Sequence, residues 1–296
     1  MTRSGTESNL SYSIPTRDDD TIAQRIVANE VNRIRHIVPL TTLVLLTSGG
    51  EWKVVPSNSD ILTPASAEPK QFSSEGAANP QPVLTGSAVV YAQDQGGRVR
   101  HIKYKWESND FTSDDISVLA PHLFDGYTIV DMAYTKAPHK MVWLVRSDGV
   151  LLGLTYLPEQ DVIAWHRHTT DGLFESVAAA REGNETALYA VIKRTVNGRT
   201  VRNIERKHTR AFSALEDAFC VDSGLTYDGA AATTITGLWH IEGEAVSVLA
   251  DGAVVSGLTV TNGSITLEQA ASVVHIGLPY VCQVKTLPLA IEAAQA

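Results

Sequence analysis

The sequence is short of several things, and each shortage excludes a class of protein. Only two of its 296 residues are cysteine, Cys220 and Cys282, too few for a disulfide framework or a cysteine zinc centre. Bases are outnumbered: Lys+Arg total 24 against Asp+Glu 33, a net charge of −9, which rules out a uniformly cationic protein that coats DNA. No apolar run approaches the roughly 18 residues of a membrane span; the best candidate, Ile37 to Leu46, is interrupted by Pro39, Thr41 and Thr42. The start, Met1 to Ser8, is polar and has no apolar signal core. These absences fit a soluble protein of a reducing compartment.

What is present suits a packed interior, with 44% hydrophobic and 19% charged residues. The charge is uneven. From Ser213 to the end, nine acids face the single base Lys285, a balance of −8. This shift predicts two domains, residues 1–212 and an acidic C-terminal β-domain over 213–296. Just before it lies the most basic strip: Lys193, Arg194, Arg199, Arg202, Arg206, Lys207 and Arg210, diluted by Glu205. Its plain reading is a solvated strand face with a charged linker; its sharper reading is a contact with an acidic neighbour such as another copy's C-terminal region.

Hydrophobic periodicity predicts a largely β chain. Between Asp20 and Val38, the spacing of Ile22, Ile26, Val27, Val31, Ile34 and Val38 predicts one short amphipathic helix, with Asp18, Asp19 and Asp20 at its positive end. Beyond Pro39 a strand–turn–strand figure recurs. Leu43–Leu46 turns at Gly49-Gly50 into Trp52–Val55, and Ala88–Tyr91 turns at Gly96-Gly97 into Val99–Trp106. Met141–Val145 turns at Ser147-Asp148-Gly149, Ala187–Ile192 at Asn197-Gly198, and Val246–Leu249 at Asp251-Gly252. Asp-Gly and Asn-Gly supply the positive φ angles of tight hairpin turns. A repeat near 50 residues matches one four-stranded propeller blade, so the expected fold is all-β: incomplete β-propeller-like blades, too few to close, with edges that need a partner.

Chemistry-bearing clusters are sparse. In Trp165-His166-Arg167-His168 the two histidines share one strand face and could share a metal. No third ligand has suitable spacing, and two histidines alone hold zinc poorly, so strand packing or an oligomer contact is the expectation. Asp18–Asp20 and Asp114-Asp115 lack the spaced oxygens of a calcium loop and read as helix caps. Ser147-Asp148-Gly149 resembles a sialidase aspartate turn but lacks its later Trp. No nucleophile elbow, phosphate loop or dinucleotide fingerprint occurs, and nothing fixes Cys220 beside His208. No catalytic residue, metal site or cofactor is expected.

Several segments together resemble the tail nozzle (tail tubular protein B-like) family of short-tailed bacteriophages. They are Val31-Asn32-Arg33-Ile34-Arg35-His36 with Leu46 to Trp52, His122-Leu123-Phe124 with Tyr127 to Tyr134, and Arg146 to Gly149. Leu154-Thr155-Tyr156 with Ala164 to His168, Lys193-Arg194 with Arg202 to Arg206, Asp222 to Tyr227, and Val274 to Tyr280 complete the set. The likeness covers nearly the whole chain, although family members extend further at both ends, which predicts a fragment or a short relative.

The resemblance implies a non-enzymatic virion protein, assembled in the host cytoplasm. Its copies would form a ring, typically six, that binds a portal-adaptor ring and tail fibre or spike proteins and passes DNA without gripping it. Arg194, Arg199, Arg202, Arg206, Trp165, His166 and His168 are the expected subunit-interface residues, and Asp222, Asp228, Glu242, Glu244 and Asp251 the expected channel lining. The competing readings are a carbohydrate-binding propeller using Trp52, Trp106, Trp143 and Trp165 as sugar platforms, and a glycoside hydrolase, which needs a carboxylate pair that no spacing identifies.

Overall fold

The computed structural model describes residues 1–28, 32–58, 60–86 and 88–285. The protein is mainly β, 52% strand, built from several antiparallel sheets of which none is closed. Two compact units are distinguished: Met1–Lys193 with Arg202–Lys207, and Arg194–Val201 with His208–Ala296.

The first unit is a series of sheets in chain order. β1 (Ile34–Pro39), β2 (Leu43–Thr47), β3 (Gly50–Pro56) and β4 (Ala67–Ser73) form one four-stranded meander. A second holds β5 (Val83–Leu84), β6 (Val89–Ala92), β7 (Val99–Lys105) and β8 (Asp110–Asp115). The third runs through β9 (Ile129–Thr135), β10 (Met141–Arg146), β11 (Leu151–Leu157) and β12 (Val162–His168). β13 (Leu173–Glu182), β14 (Glu185–Val196) and β15 (Arg199–Arg206) make a three-stranded fourth sheet, whose hairpin tip belongs to the second unit.

Each pair of successive sheets in this unit has its own core. Val44 and Leu46 of the first sheet pack with Val89, Tyr91 and Ile102 of the second. Val90, Val99 and Phe124 pack with Val142, Leu144, Leu152 and Tyr156, and Trp143, Val145 and Leu151 with Leu188, Ala190 and Ile192. Alternation explains how β10 serves two cores: Val142 and Leu144 face one neighbour, Trp143 and Val145 the other. Buried polar ties cross the same interfaces. The Tyr91 hydroxyl donates to Glu51 Oε1 at 2.8 Å, His101 Nδ1 lies 2.8 Å from the Tyr156 hydroxyl, and Asp131 accepts the Val177 N–H at 2.9 Å. Burial pushes the Tyr156 phenol up to about 12 and holds His101 below its ordinary value, in its neutral form.

The expected N-terminal helix is absent. Among the described residues the only helices are single 3-10 turns at Pro121–Leu123, Pro158–Gln160, Leu215–Asp217 and Trp239–Ile241. Residues 20–28 run irregularly, and Ile22, Ile26 and Ala28 cover Leu45, Trp52 and Val54 on the outer face of the first sheet. Ile34 and Val38 enter β1 instead, where β-branched side chains keep more freedom than in a helix; Val31 lies outside the described residues. The aspartates do not cap a helix: buried Asp20 accepts the N–H groups of Ser13 and Arg17, each at 2.8 Å, and Asp19 pairs with Arg3.

The second unit's sheet has the order β16-β19-β17-β18, where β16 is Asp222–Thr236, β17 Ala245–Ala250, β18 Ala253–Thr259 and β19 Ser264–Leu278. Its core gathers Ile235, Leu238, Ile241, Val248, Val274 and Ile276.

All five glycine-marked hairpins are present. Asn197-Gly198 and Asp251-Gly252 hold positive φ at both central residues. At Gly97, φ is +65° and an added Cβ would stand 2.0 Å from the Tyr127 carbonyl oxygen. Gly97→Ala is therefore expected to lower stability by about 1–3 kcal/mol, read as an earlier urea midpoint; an unchanged midpoint contradicts this packing.

The third sheet's Asp148 turn gives a pH prediction. Arg146, itself buried, donates to Asp148 Oδ1 at 2.8 Å and to the Leu123 carbonyl at 2.7 Å, with its guanidinium 3.6 Å over the Tyr127 ring. The Arg146 hydrogen bond holds the Asp148 carboxyl below the usual carboxylate range. A depressed acid stabilises the fold fully above its unfolded value near pH 4, and that contribution fades as pH falls through the folded value. Urea midpoints measured from pH 6 to 3 should thus fall less steeply for Asp148→Asn than for the parent; parallel curves would refute the linkage.

Candidate functional site

The histidine cluster is built on β12, an edge strand of the third sheet. Antiparallel register sets Trp143 of β10 opposite Gly153 of β11, and Gly153 opposite His166. Because Gly153 has no side chain, the His166 ring lies in the gap: a Cβ there would stand 2.0 Å from its Cε1. His168, two residues on, shares that face. His166 Nδ1 and His168 Nε2 are 2.8 Å apart, one donating to the other. The rings are nearly perpendicular at 81°, with centroids 4.8 Å apart. Trp143 backs both, its ring 5.8 Å from His166 and 5.3 Å from His168, and its indole N–H donates to Thr135 Oγ1 at 3.1 Å. Lys207 Nζ lies 5.8 Å over the same indole. Both histidines are half-buried. Among the described residues no three His, Cys, Asp or Glu side chains converge on a metal seat.

Trp165 points to the other face. Its indole N–H donates to the Ile116 carbonyl at 2.7 Å and its ring meets Phe124 edge-on at 4.8 Å, so it closes the core between the second and third sheets.

Two arginines of the basic strip are paired within their own sheet. Arg202 grips Glu175 with two bonds, at 2.6 and 3.1 Å. Arg206 donates to Glu182 at 2.9 Å and also to Glu185, and Glu182 in turn accepts from Tyr189. The Tyr189 hydroxyl and Arg206 together hold the Glu182 carboxyl below its ordinary range. Arg194 is buried and stands 3.8 Å from Asp222. Arg199, at the β14–β15 turn, is exposed.

The acids expected in a channel wall have diverse roles. Asp222 faces Arg194. Glu242 accepts the N–H groups of Asn262 and Gly263 at 2.7 and 2.6 Å, fixing the turn before β19. Asp251 accepts from Ser272 and Val273, at 3.1 and 2.8 Å, tying the β17–β18 turn to β19. Asp228 and Glu244 are exposed. Such backbone duties have no sequence signal beyond an acid near a turn.

The tryptophans considered as sugar platforms divide sharply. Trp52 and Trp143 are buried, whereas Trp106 is 83% exposed beside Tyr104. Trp239, which sequence reasoning passed over, is 64% exposed and packs over Gly263.

No protein-family model matches the chain, and a search of curated proteins returns no match.

Gly153→Ala is expected to expel the His166 ring and separate it from His168, shifting both sets of imidazole NMR resonances and changing the near-ultraviolet dichroism of Trp143. Stability should fall by about 1–3 kcal/mol, the usual range for overpacking. Unchanged imidazole resonances would show that the ring does not depend on this gap.

Proposed function

We propose that the chain is a structural, non-catalytic component of a short-tailed phage tail, of the tail nozzle kind, and contributes to a ring around the route of DNA exit. The observation that carries this reading is the series of four-stranded meanders, each with its own core against the next and none closed on itself. Such meanders are the size and topology of propeller blades, and an unclosed series leaves strand edges for pairing with other chains. The sequence resemblance, spread over both units, points the same way.

The electrostatics suit passage of DNA rather than capture. Duplex DNA binds protein by exchanging condensed counterions for lysine and arginine. Here Arg202 and Arg206 already hold glutamates, while the region beyond residue 213 carries a balance of −8. Asp228 and Glu244, both exposed, are the acids best placed to face a passing duplex. Within the interface group, exposed Arg199 is the residue most available to a neighbouring copy.

A second reading, glycan binding, is favoured by Trp106 beside Tyr104, since an exposed indole is a surface on which sugars stack. A glycan array with the purified chain, compared with Trp106→Ala, separates the two: binding lost in the variant supports this reading, and a blank array removes it.

The deciding experiment is a chain-resolved electron cryomicroscopy map of the phage particle encoding this sequence. The expected result is several copies in a ring below the portal. Its absence from purified particles would overturn the tail reading.

A further inference from the structure

We propose that His166 and His168 form a seat for a tetragonal first-row divalent cation, copper(II) or nickel(II), on the edge strand β12. This inference is independent of the tail reading.

The geometry brings two imidazole nitrogens together. Two imidazole nitrogens bound to one ion at about 2.0–2.1 Å stand about 2.9 Å apart when they subtend a right angle, and about 3.3 Å apart at the tetrahedral angle. The observed separation of His166 Nδ1 and His168 Nε2 is 2.8 Å. That is a hydrogen-bond distance, and it places the two nitrogens close enough that small ring rotations would let both bind one ion. At present one nitrogen donates its proton to the other. The ion would take the place of that shared proton, sitting to one side of the line between the nitrogens; as the shared proton leaves to solvent, the donor ring takes up a proton on its other nitrogen and binds as the neutral imidazole of the opposite tautomer.

The pair is also held in place, which distinguishes it from two histidines that merely share a strand face. His166 is confined over Gly153, and the Trp143 indole, fixed by its bond to Thr135, backs both rings. Confinement lowers the ordering cost of chelation. The half-buried edge position leaves the pair reachable from solvent. Lys207 over the same indole adds a like charge, so moderate rather than tight affinity is expected, with copper above both nickel and zinc.

The test uses the untagged full chain carrying Cys220→Ser and Cys282→Ser, so that thiols do not compete. Copper(II) chloride is titrated while tryptophan fluorescence is followed, because an ion here would lie close enough to Trp143 to quench it. Pulsed electron paramagnetic resonance then counts coordinating imidazoles in the unsubstituted site. The expected result is one copper equivalent bound through two imidazoles, with affinity at least about tenfold lower in His166→Gln and in His168→Ala, and zinc at least about tenfold weaker than copper. The proposal is overturned by a spectrum showing fewer than two imidazoles, by copper affinity unchanged in His166→Gln, or by zinc binding as tightly as copper. The resonance measurement needs no substitution at the histidines, so it decides even if His168→Ala does not fold.

Discussion

Face-to-face burial of successive sheets is the constraint on which the first unit depends. A four-stranded meander with apolar side chains on both faces is not stable alone; each face has to be covered. The third sheet shows this most fully, because every residue of β10 from Met141 to Arg146 is buried. One face is covered by the second sheet and the other by the fourth. Apolar contact alone is non-directional, so the angle and register of each layer need something more. Glu51 with Tyr91, His101 with Tyr156, and Asp131 with the Val177 amide supply it. A sliding layer would leave these buried groups unpaired, at the usual cost of about 1–3 kcal/mol each.

The fourth sheet departs from that pattern in a telling way. Its inward residues Leu188, Ala190 and Ile192 are buried like those of the other layers. Along β15, however, Arg202 and Arg206 share a face with Ile204, which is 77% exposed. The arginines are drawn into bonds with Glu175, Glu182 and Glu185. Bidentate pairing holds long side chains flat along the sheet, and their alkyl stems shield backbone that an apolar neighbour would otherwise cover. The face therefore tolerates water.

Much of this was legible in the sequence, and the limits have physical causes. Hairpins could be read because a tight turn imposes a local demand, positive φ, that Asn197-Gly198 and Asp251-Gly252 meet without reference to the rest of the chain. The spacing of those turns suggested units of about four strands, and three of the sheets in the first unit have four. The helix over 20–38 was misread because spacing reports which residues are apolar, while the sheet they meet decides their conformation: Ile22 and Ile26 cover the Trp52 face from an irregular segment. The arginine strip looked unopposed because Glu175 and Glu182 are on β13, more than twenty residues away in sequence. The His166–His168 pairing was half legible. Alternation put both rings on one face, but only cross-strand register could show that residue 153, a glycine, stands opposite and lets the ring lie down.

These pairings alter how the protein's charge should be weighed against DNA. A raw count of bases between residues 193 and 210 overstates the charge available to a partner. Phosphate affinity comes from cations whose capture of DNA releases counterions, and a guanidinium already bound to a carboxylate must first break that pair. Arg202 and Arg206 are in this state on the surface, and Arg146 and Arg194 are buried against Asp148 and Asp222. The usable positive charge is smaller than the composition implies, whereas exposed acids such as Asp228 and Glu244 keep their full field. On the proposed reading this asymmetry is the functional property: a surface with few available cations gives a moving duplex little to bind, and the same ion pairs that stabilise the sheet keep its arginines from becoming a brake.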